Sequence, residues 1–180
     1  KNMNTKNTQH DYDKLLLQAV DNNDIEAVNS ILPFLPFAND FSSQTFRTVE
    51  KAIQLGHLDI VQTLLPVVDP TLENSFLLQW AAECGQLPIV ECLLPASNST
   101  DYSKALGSAT EEGHFDVVKL LVPFIDPKEL LEPLYLSAMC NRKKIFKFIL
   151  PLVDCSANDS YALRLAARFG FSDVIQHLIP

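Results

Sequence analysis

What this sequence does without narrows the reading before any motif is considered. Glycine is scarce, with five in 180 residues, and none form the Gly-rich loop that cradles phosphates, so no nucleotide or other cofactor is expected. There is no Cys-x-x-Cys pair: Cys84, Cys92, Cys140 and Cys155 stand apart, and neither they nor the histidines show zinc-ligand spacing. A chain of this size needs no disulfide staples, so reduced thiols and a cytoplasmic setting are expected. Long apolar runs are missing. The stretch from Ile31 to Ala38 is broken by Pro33 and Pro36 and is far too short to span a bilayer, so no membrane insertion is expected. The stretch from Lys1 to Lys14 is polar and lacks the apolar core of a signal peptide. Positive charge is also short: 14 Lys and Arg face 22 Asp and Glu, for a net charge of -8. Nucleic-acid phosphates and anionic lipid surfaces are repelled in bulk, which argues against both as partners.

What is present is a balanced soluble composition, 47% hydrophobic and 20% charged, over a length that suits one domain or one repeat array. The decisive feature is internal repetition. Six segments each run from a small residue to a proline 14 positions later: Ala19–Pro33, Ala52–Pro66, Ala81–Pro95, Ala109–Pro123, Ser137–Pro151 and Ala166–Pro180. The prolines step by 33, 29, 28, 28 and 29 residues. Four positions after each small residue comes Asn23, Gly56, Gly85, Gly113, Asn141 or Gly170. An aliphatic pair precedes each proline, as in Leu64-Leu65 and Leu93-Leu94, with a further apolar pair before it, as in Ile60-Val61 and Ile89-Val90.

These positions predict a helix-turn-helix unit. A first helix ends at the Gly or Asn, which tolerates the left-handed conformation of helix C-termini. A second helix follows, with Asp59, Asp116 and Asp173 placed to cap it and Pro88 at the equivalent start. Its apolar residues at i, i+1, i+4 and i+5 share one face, and the proline ends it. Ser75, Ser103 and Ser160, or residues near them, are the candidate caps of the first helices. Helices of about eight residues are not stable alone, so neighbouring units must stack. The glycines read as helix punctuation throughout. The longer first interval predicts an irregular, aromatic-rich insertion over Phe34 to Thr45. The expected organisation is a polar N-terminal tail over 1–11 and a repeat domain over 12–180, with units at 12–33, 46–66, 75–95, 103–123, 131–151 and 160–180.

The recurring pattern is written most fully in Ala81-Ala82-Glu83-Cys84-Gly85-Gln86-Leu87-Pro88-Ile89-Val90-Glu91-Cys92-Leu93-Leu94 and again in Gly113-His114-Phe115-Asp116-Val117-Val118. It resembles the ankyrin repeat. The resemblance covers residues 12 to 180 and implies an all-α, ankyrin-like solenoid. Two departures matter. The units are four or five residues shorter than the family's usual 33, and the deletion falls where the family carries a protruding β-hairpin, so that finger should shrink to a tight loop. The family's Thr-Pro-Leu-His opening is mostly absent, with Glu132-Pro133-Leu134-Tyr135 its nearest remnant. The short units also resemble ankyrin repeats of intracellular bacteria and amoeba-associated viruses, which implies an effector acting in a host cytosol.

The resemblance implies binding of a protein or peptide on the concave face, lined by the ends of the first helices. Carried over by position, the candidate partner-binding residues are Leu55, Trp80, Glu83, Cys84, Glu111, Glu112, Met139, Cys140, Arg168 and Phe169. Leu55, Met139 and Phe169 are apolar where a free scaffold would be polar, which marks an interaction surface. Trp80 is the one tryptophan and sits at the edge of this face, either as a binding anchor or as packing between first helices. His57 and His114, after the glycines, read as structural turn residues. The cysteines have no adjacent base, so no nucleophilic role is expected and the chain is read as a non-enzyme. Arg142-Lys143-Lys144 with Lys147 form a basic run, either a degenerate repeat whose lysine stems cover the core or a patch for an acidic partner. A monomer is expected. The chain starts with Lys1 and Asn2 ahead of Met3, and its last unit stops at Pro180 without a polar cap. The start suggests a piece of a longer chain or a few added residues, and the end suggests a chain cut there or an end covered by another domain or a partner. The alternative function is a substrate-targeting module of a longer multidomain enzyme.

Overall fold

The computed structural model describes residues 3–38, 43–153 and 159–171. Among them are eleven α-helices: α1 (Met3–Asp21), α2 (Ile25–Ile31), α3 (Gln44–Leu55), α4 (Leu58–Leu64), α5 (Leu72–Glu83), α6 (Leu87–Leu93), α7 (Ser99–Glu112), α8 (Phe115–Leu121), α9 (Leu131–Met139), α10 (Lys143–Ile149) and α11 (Asp159–Arg168). Odd-numbered helices pack on one another to form one layer, and even-numbered helices form the second. The all-α solenoid expected from the repeats is the observed fold. The second helix of the last unit, with Asp173 and His177, lies outside the described residues, as does Cys155.

The repeat's landmarks have physical causes. In all six units the N–H of the residue after the Gly or Asn donates to the carbonyl of the small residue five positions back: Asp24 to Ala19, His57 to Ala52, Gln86 to Ala81, His114 to Ala109, Arg142 to Ser137 and Phe171 to Ala166, at 2.7–3.0 Å. This closes the first helix in a Schellman-type turn, for which the intervening residue must be left-handed. Gly85 has φ +70°, and Asn23 and Asn141 manage +54° and +57°. The small residues are themselves buried, which lets neighbouring first helices approach closely.

Each described second helix is only seven residues long. Its buried stripe is Ile60, Val61 and Leu64 in α4, and Ile89, Val90 and Leu93 in α6, repeated as Val117, Val118 and Leu121 and as Ile145, Phe146 and Ile149. The proline does not cut the helix off abruptly. The chain tightens into a 3-10 turn with proline second, as in Leu65–Val67 and Leu94–Ala96, and only then becomes extended. An α-helical proline nitrogen would clash with the carbonyl four back, and the tighter turn avoids this.

The capping residues differ from those expected. Ser75 and Ser103 lie inside α5 and α7, because those helices begin at Leu72 and Ser99. Asn98 caps α7, its Oδ1 accepting from the Thr100 and Asp101 N–H groups, while Asp101 Oδ2 accepts from Asn98 N–H in a capping box. Ser75 is buried with φ +56° and donates its hydroxyl to the buried Asp101 at 2.7 Å, joining α5 to α7. Asp59 and Asp116 sit in the first turns of α4 and α8 but cap nothing, since the N-cap positions fall on His57 and His114. Among the described second helices only α2 is capped by a carboxylate, Asp24 accepting from Ala27 N–H at 2.9 Å, and Asp126 caps the 3-10 turn Pro127–Leu130 in the same way, accepting from Lys128 N–H at 2.9 Å. Gly107 also breaks the expectation, because it lies in the middle of α7 rather than at a turn.

The finger is reduced, as the short period predicts. Among the described residues there is no strand, only one parallel bridge, in which Ala38 donates to Val67 at 2.7 Å and accepts from Asp69 at 3.0 Å. The insertion feeding this bridge is shorter than expected, since α3 already begins at Gln44, and Phe34 stacks on Tyr12 at 5.0 Å. Helix α1 starts at Met3, inside the stretch read from sequence as a polar tail.

Candidate interaction surface

The odd helices end side by side, and the ends of α3, α5 and α7 are each held by the unit that follows. Gln86 Nε2 donates to the Gln54 carbonyl at 3.4 Å, His114 Nε2 donates to Glu83 at 2.8 Å, and Arg142 Nε donates to Glu111 at 2.8 Å. Each of these side chains follows a turn residue and reaches the carbonyl two places before the turn glycine of the preceding unit. The glycine makes room for it: a Cβ on Gly85 would run into the His114 ring, and one on Gly113 would lie 2.9 Å from Arg142 Cδ. His114 is therefore a structural turn residue, as its position suggests. This latch also fixes the spacing of the helix ends that carry the candidate residues.

On those ends Glu83, Glu111, Glu112 and Arg168 are exposed, and Leu55 and Met139 are 41% and 49% exposed. Cys84, Cys140 and Phe169 are half-buried, with the Arg168 guanidinium 5.6 Å from the Phe169 ring centroid. Trp80 makes the packing contacts. Its ring stacks on Phe76 at 6.3 Å and its Nε1–H donates to the Glu50 carbonyl on α3 at 3.1 Å, so it bridges α3 and α5 while staying partly exposed. The matching residue Leu165 is buried. Trp80 therefore serves the joint between α3 and α5.

Burial and, second, the neighbouring Glu83 charge push the Cys84 thiol up. It stays protonated at neutral pH and is a poor nucleophile. Burial also raises the Glu50 carboxyl, with Arg47 offsetting part of the effect. Within the basic run, Arg142 serves the latch, Lys143 lies 5.6 Å from the Phe171 ring centroid and Lys144 lies 3.9 Å from that of Phe115. Both ammonium groups thus lie over aromatic rings, and Lys143 stands where other units place Leu58 or Leu87. Among the described residues no group of three or more His, Cys, Asp or Glu is placed to hold a metal ion. No described helix is long and apolar enough to cross a membrane.

One groove opens in the odd-helix layer, about 660 Å³ in volume, between α7 and the segment made of the 3-10 turn Pro127–Leu130 and α9. Gly107 lies on its α7 wall and Leu136 on its α9 wall, with Lys104, Glu111 and Glu132 at its edges. The sequence offered no sign of it beyond Gly107 itself.

A family model for ankyrin repeats matches the chain in three copies, over residues 49–129 and 78–159. The chain belongs to the ankyrin-repeat family. No curated protein matches it. Ankyrin repeats are in general protein-interaction modules and are typically non-catalytic. The latched helix ends described above lie within the matched span from Leu55 to Cys140.

Proposed function

We propose that this ankyrin-repeat chain is a scaffold that docks a partner protein across the C-terminal ends of α3, α5, α7 and α9, and on to α11. The observation that carries this reading is the register. Leu55, Glu83, Glu111, Glu112 and Met139 fall on the two places just before the turn residue in successive units, all are exposed, and two are large apolar side chains. Held at fixed spacing by the inter-unit hydrogen bonds, they form a preorganised face, which lowers the ordering cost of binding. Exposed carboxylates beside apolar residues fit a partner that presents apolar and basic side chains. The described cysteines are free thiols, which fits a reducing compartment such as the cytosol.

Affinity capture from a eukaryotic lysate tests this, with the native chain beside a Leu55→Lys, Glu111→Lys, Glu112→Lys variant. These sites are exposed, so the variant should keep its circular dichroism and melting temperature. A protein retained by the native chain and lost from the variant supports the reading. Capture that is indifferent to the three changes overturns it. Trp80 is unsuitable as the probe, since its loss would disturb the α3–α5 joint.

A further inference from the structure

Gly107 is the one glycine that its backbone does not explain. The other four, Gly56, Gly85, Gly113 and Gly170, have positive φ, whereas Gly107 sits within α7 and is absent from that set. Packing does not explain it either. A Cβ there would meet only Leu136 Cδ1, at 3.9 Å, an ordinary contact. Matching places in other units carry Glu50, Gln79, Tyr135 and Arg164, all long side chains. A helix-interior glycine is destabilising relative to alanine, so α7 carries a cost with no structural return. What the missing side chain does provide is the groove beside α9.

Resting on the scaffold reading above, we propose that this groove is the anchoring subsite of the docking face, and that it takes an apolar side chain of a partner peptide with a lysine or arginine beside it. The apolar side chain lies over Gly107 against Leu136, Pro133 and Ile125, which supply apolar lining. The basic side chain meets Glu111, one turn further along α7, with exposed Glu112 and Glu83 beyond it. Lys104 lines the same groove seven residues before Glu111, about 10 Å up the helix, together with Lys128 and with Glu129, whose Oε2 accepts from the Ser103 hydroxyl at 2.6 Å, so that end carries charge of both signs. The net charge of -8 favours encounter with basic segments.

Selection from a phage-displayed library of random dodecapeptides tests this, followed by fluorescence anisotropy with the recovered peptides. The expected pool is enriched in Leu, Met or Phe adjoining Lys or Arg. Gly107→Leu fills the groove and should weaken binding by about tenfold or more, with helicity by circular dichroism retained. A charge swap makes the test independent of any loss of stability: a peptide with its basic residue changed to Glu should bind poorly to the native chain and recover on Glu111→Lys. Peptides that bind equally well to Gly107→Leu but are lost on Leu55→Asp with Met139→Asp overturn the groove and leave the docking face standing. A pool without basic enrichment, or a charge swap without recovery, also overturns the groove. A library that yields no binder counts against groove and face together.

Discussion

The first joint in this solenoid and the later ones are built differently. Between the first two units the chain has 33 residues from proline to proline and uses the extra length to lay Ala38 against Val67 and Asp69, backbone to backbone. Later units have 28 or 29 residues and no bridge among the described residues. There the joint is a side chain, Gln86, His114 or Arg142, that crosses a glycine turn to a carbonyl of the preceding helix. Shortening the finger has moved the registration of neighbouring units from the loop end to the turn end. The turn end is also the candidate docking face, so one set of contacts both joins the units and spaces the residues offered to a partner.

The largest expected effect comes from breaking a turn joint. Gly85→Ala places a Cβ at φ +70°, costing about 1–2 kcal/mol. It also drives the His114 ring off the Glu83 carbonyl, a further loss of about 1 kcal/mol. The melting temperature should fall by about 5–10 °C for a chain of this size. In a His114→Ala background the ring is already gone, so Gly85→Ala should cost only the backbone part, and the cycle should show a coupling of about 1 kcal/mol. Additive effects of the two changes would mean that the latch carries no energy of its own.

How much of this was legible in the sequence follows from the range of each interaction. The helix pairs, the left-handed turn at Gly or Asn and the reduced finger rest on spacings of a few residues, and all are present in the structure. The small residue that opens each unit was legible as a position but not as the acceptor of a turn-closing N–H. What could not be read joins residues about 30 positions apart: His114 to Glu83, Trp80 to the Glu50 carbonyl, and Ser75 to Asp101. Ser75 and Asp59 fit the local chemistry of a cap, yet the first is drawn into an inter-helix bond and the second lies two positions too late. Counting all glycines as punctuation hid Gly107, because a composition rule cannot distinguish a glycine kept for its φ from one kept for the space beside it.

The first joint should break through its backbone instead. Ala38→Pro removes the N–H that bonds to Val67 and should cost about 1–2 kcal/mol. Amide exchange read by mass spectrometry should show faster opening over α1 to α4, with α7 to α10 unchanged. Equal acceleration in both halves would show that the two joints are one cooperative unit and would remove the distinction drawn between them.

The smallest effect sharpens the same comparison through pH. Asp69 belongs to the first joint: its N–H donates to Ala38, while its Oδ1 accepts from the Thr71 hydroxyl at 2.7 Å and the Thr71 N–H at 2.9 Å. Those two bonds, the hydroxyl's first, hold its carboxyl below the ordinary value of 3.8. A carboxyl lowered in the fold contributes stability that is present above its unfolded value and lost as pH falls through the folded one. The first joint should therefore loosen below about pH 4, whereas the turn joints present neutral carbonyls as acceptors and have no carboxylate to lose. Asp69→Asn keeps an oxygen for Thr71 but removes the titration. Melting curves between pH 2.5 and pH 6 should show the native chain losing more stability towards acid than the variant, because every other carboxyl is common to both and cancels. Parallel curves would place the acid sensitivity outside the first joint, leaving the Ala38 bridge with no carboxylate that supports it, as in the turn latches it is compared with.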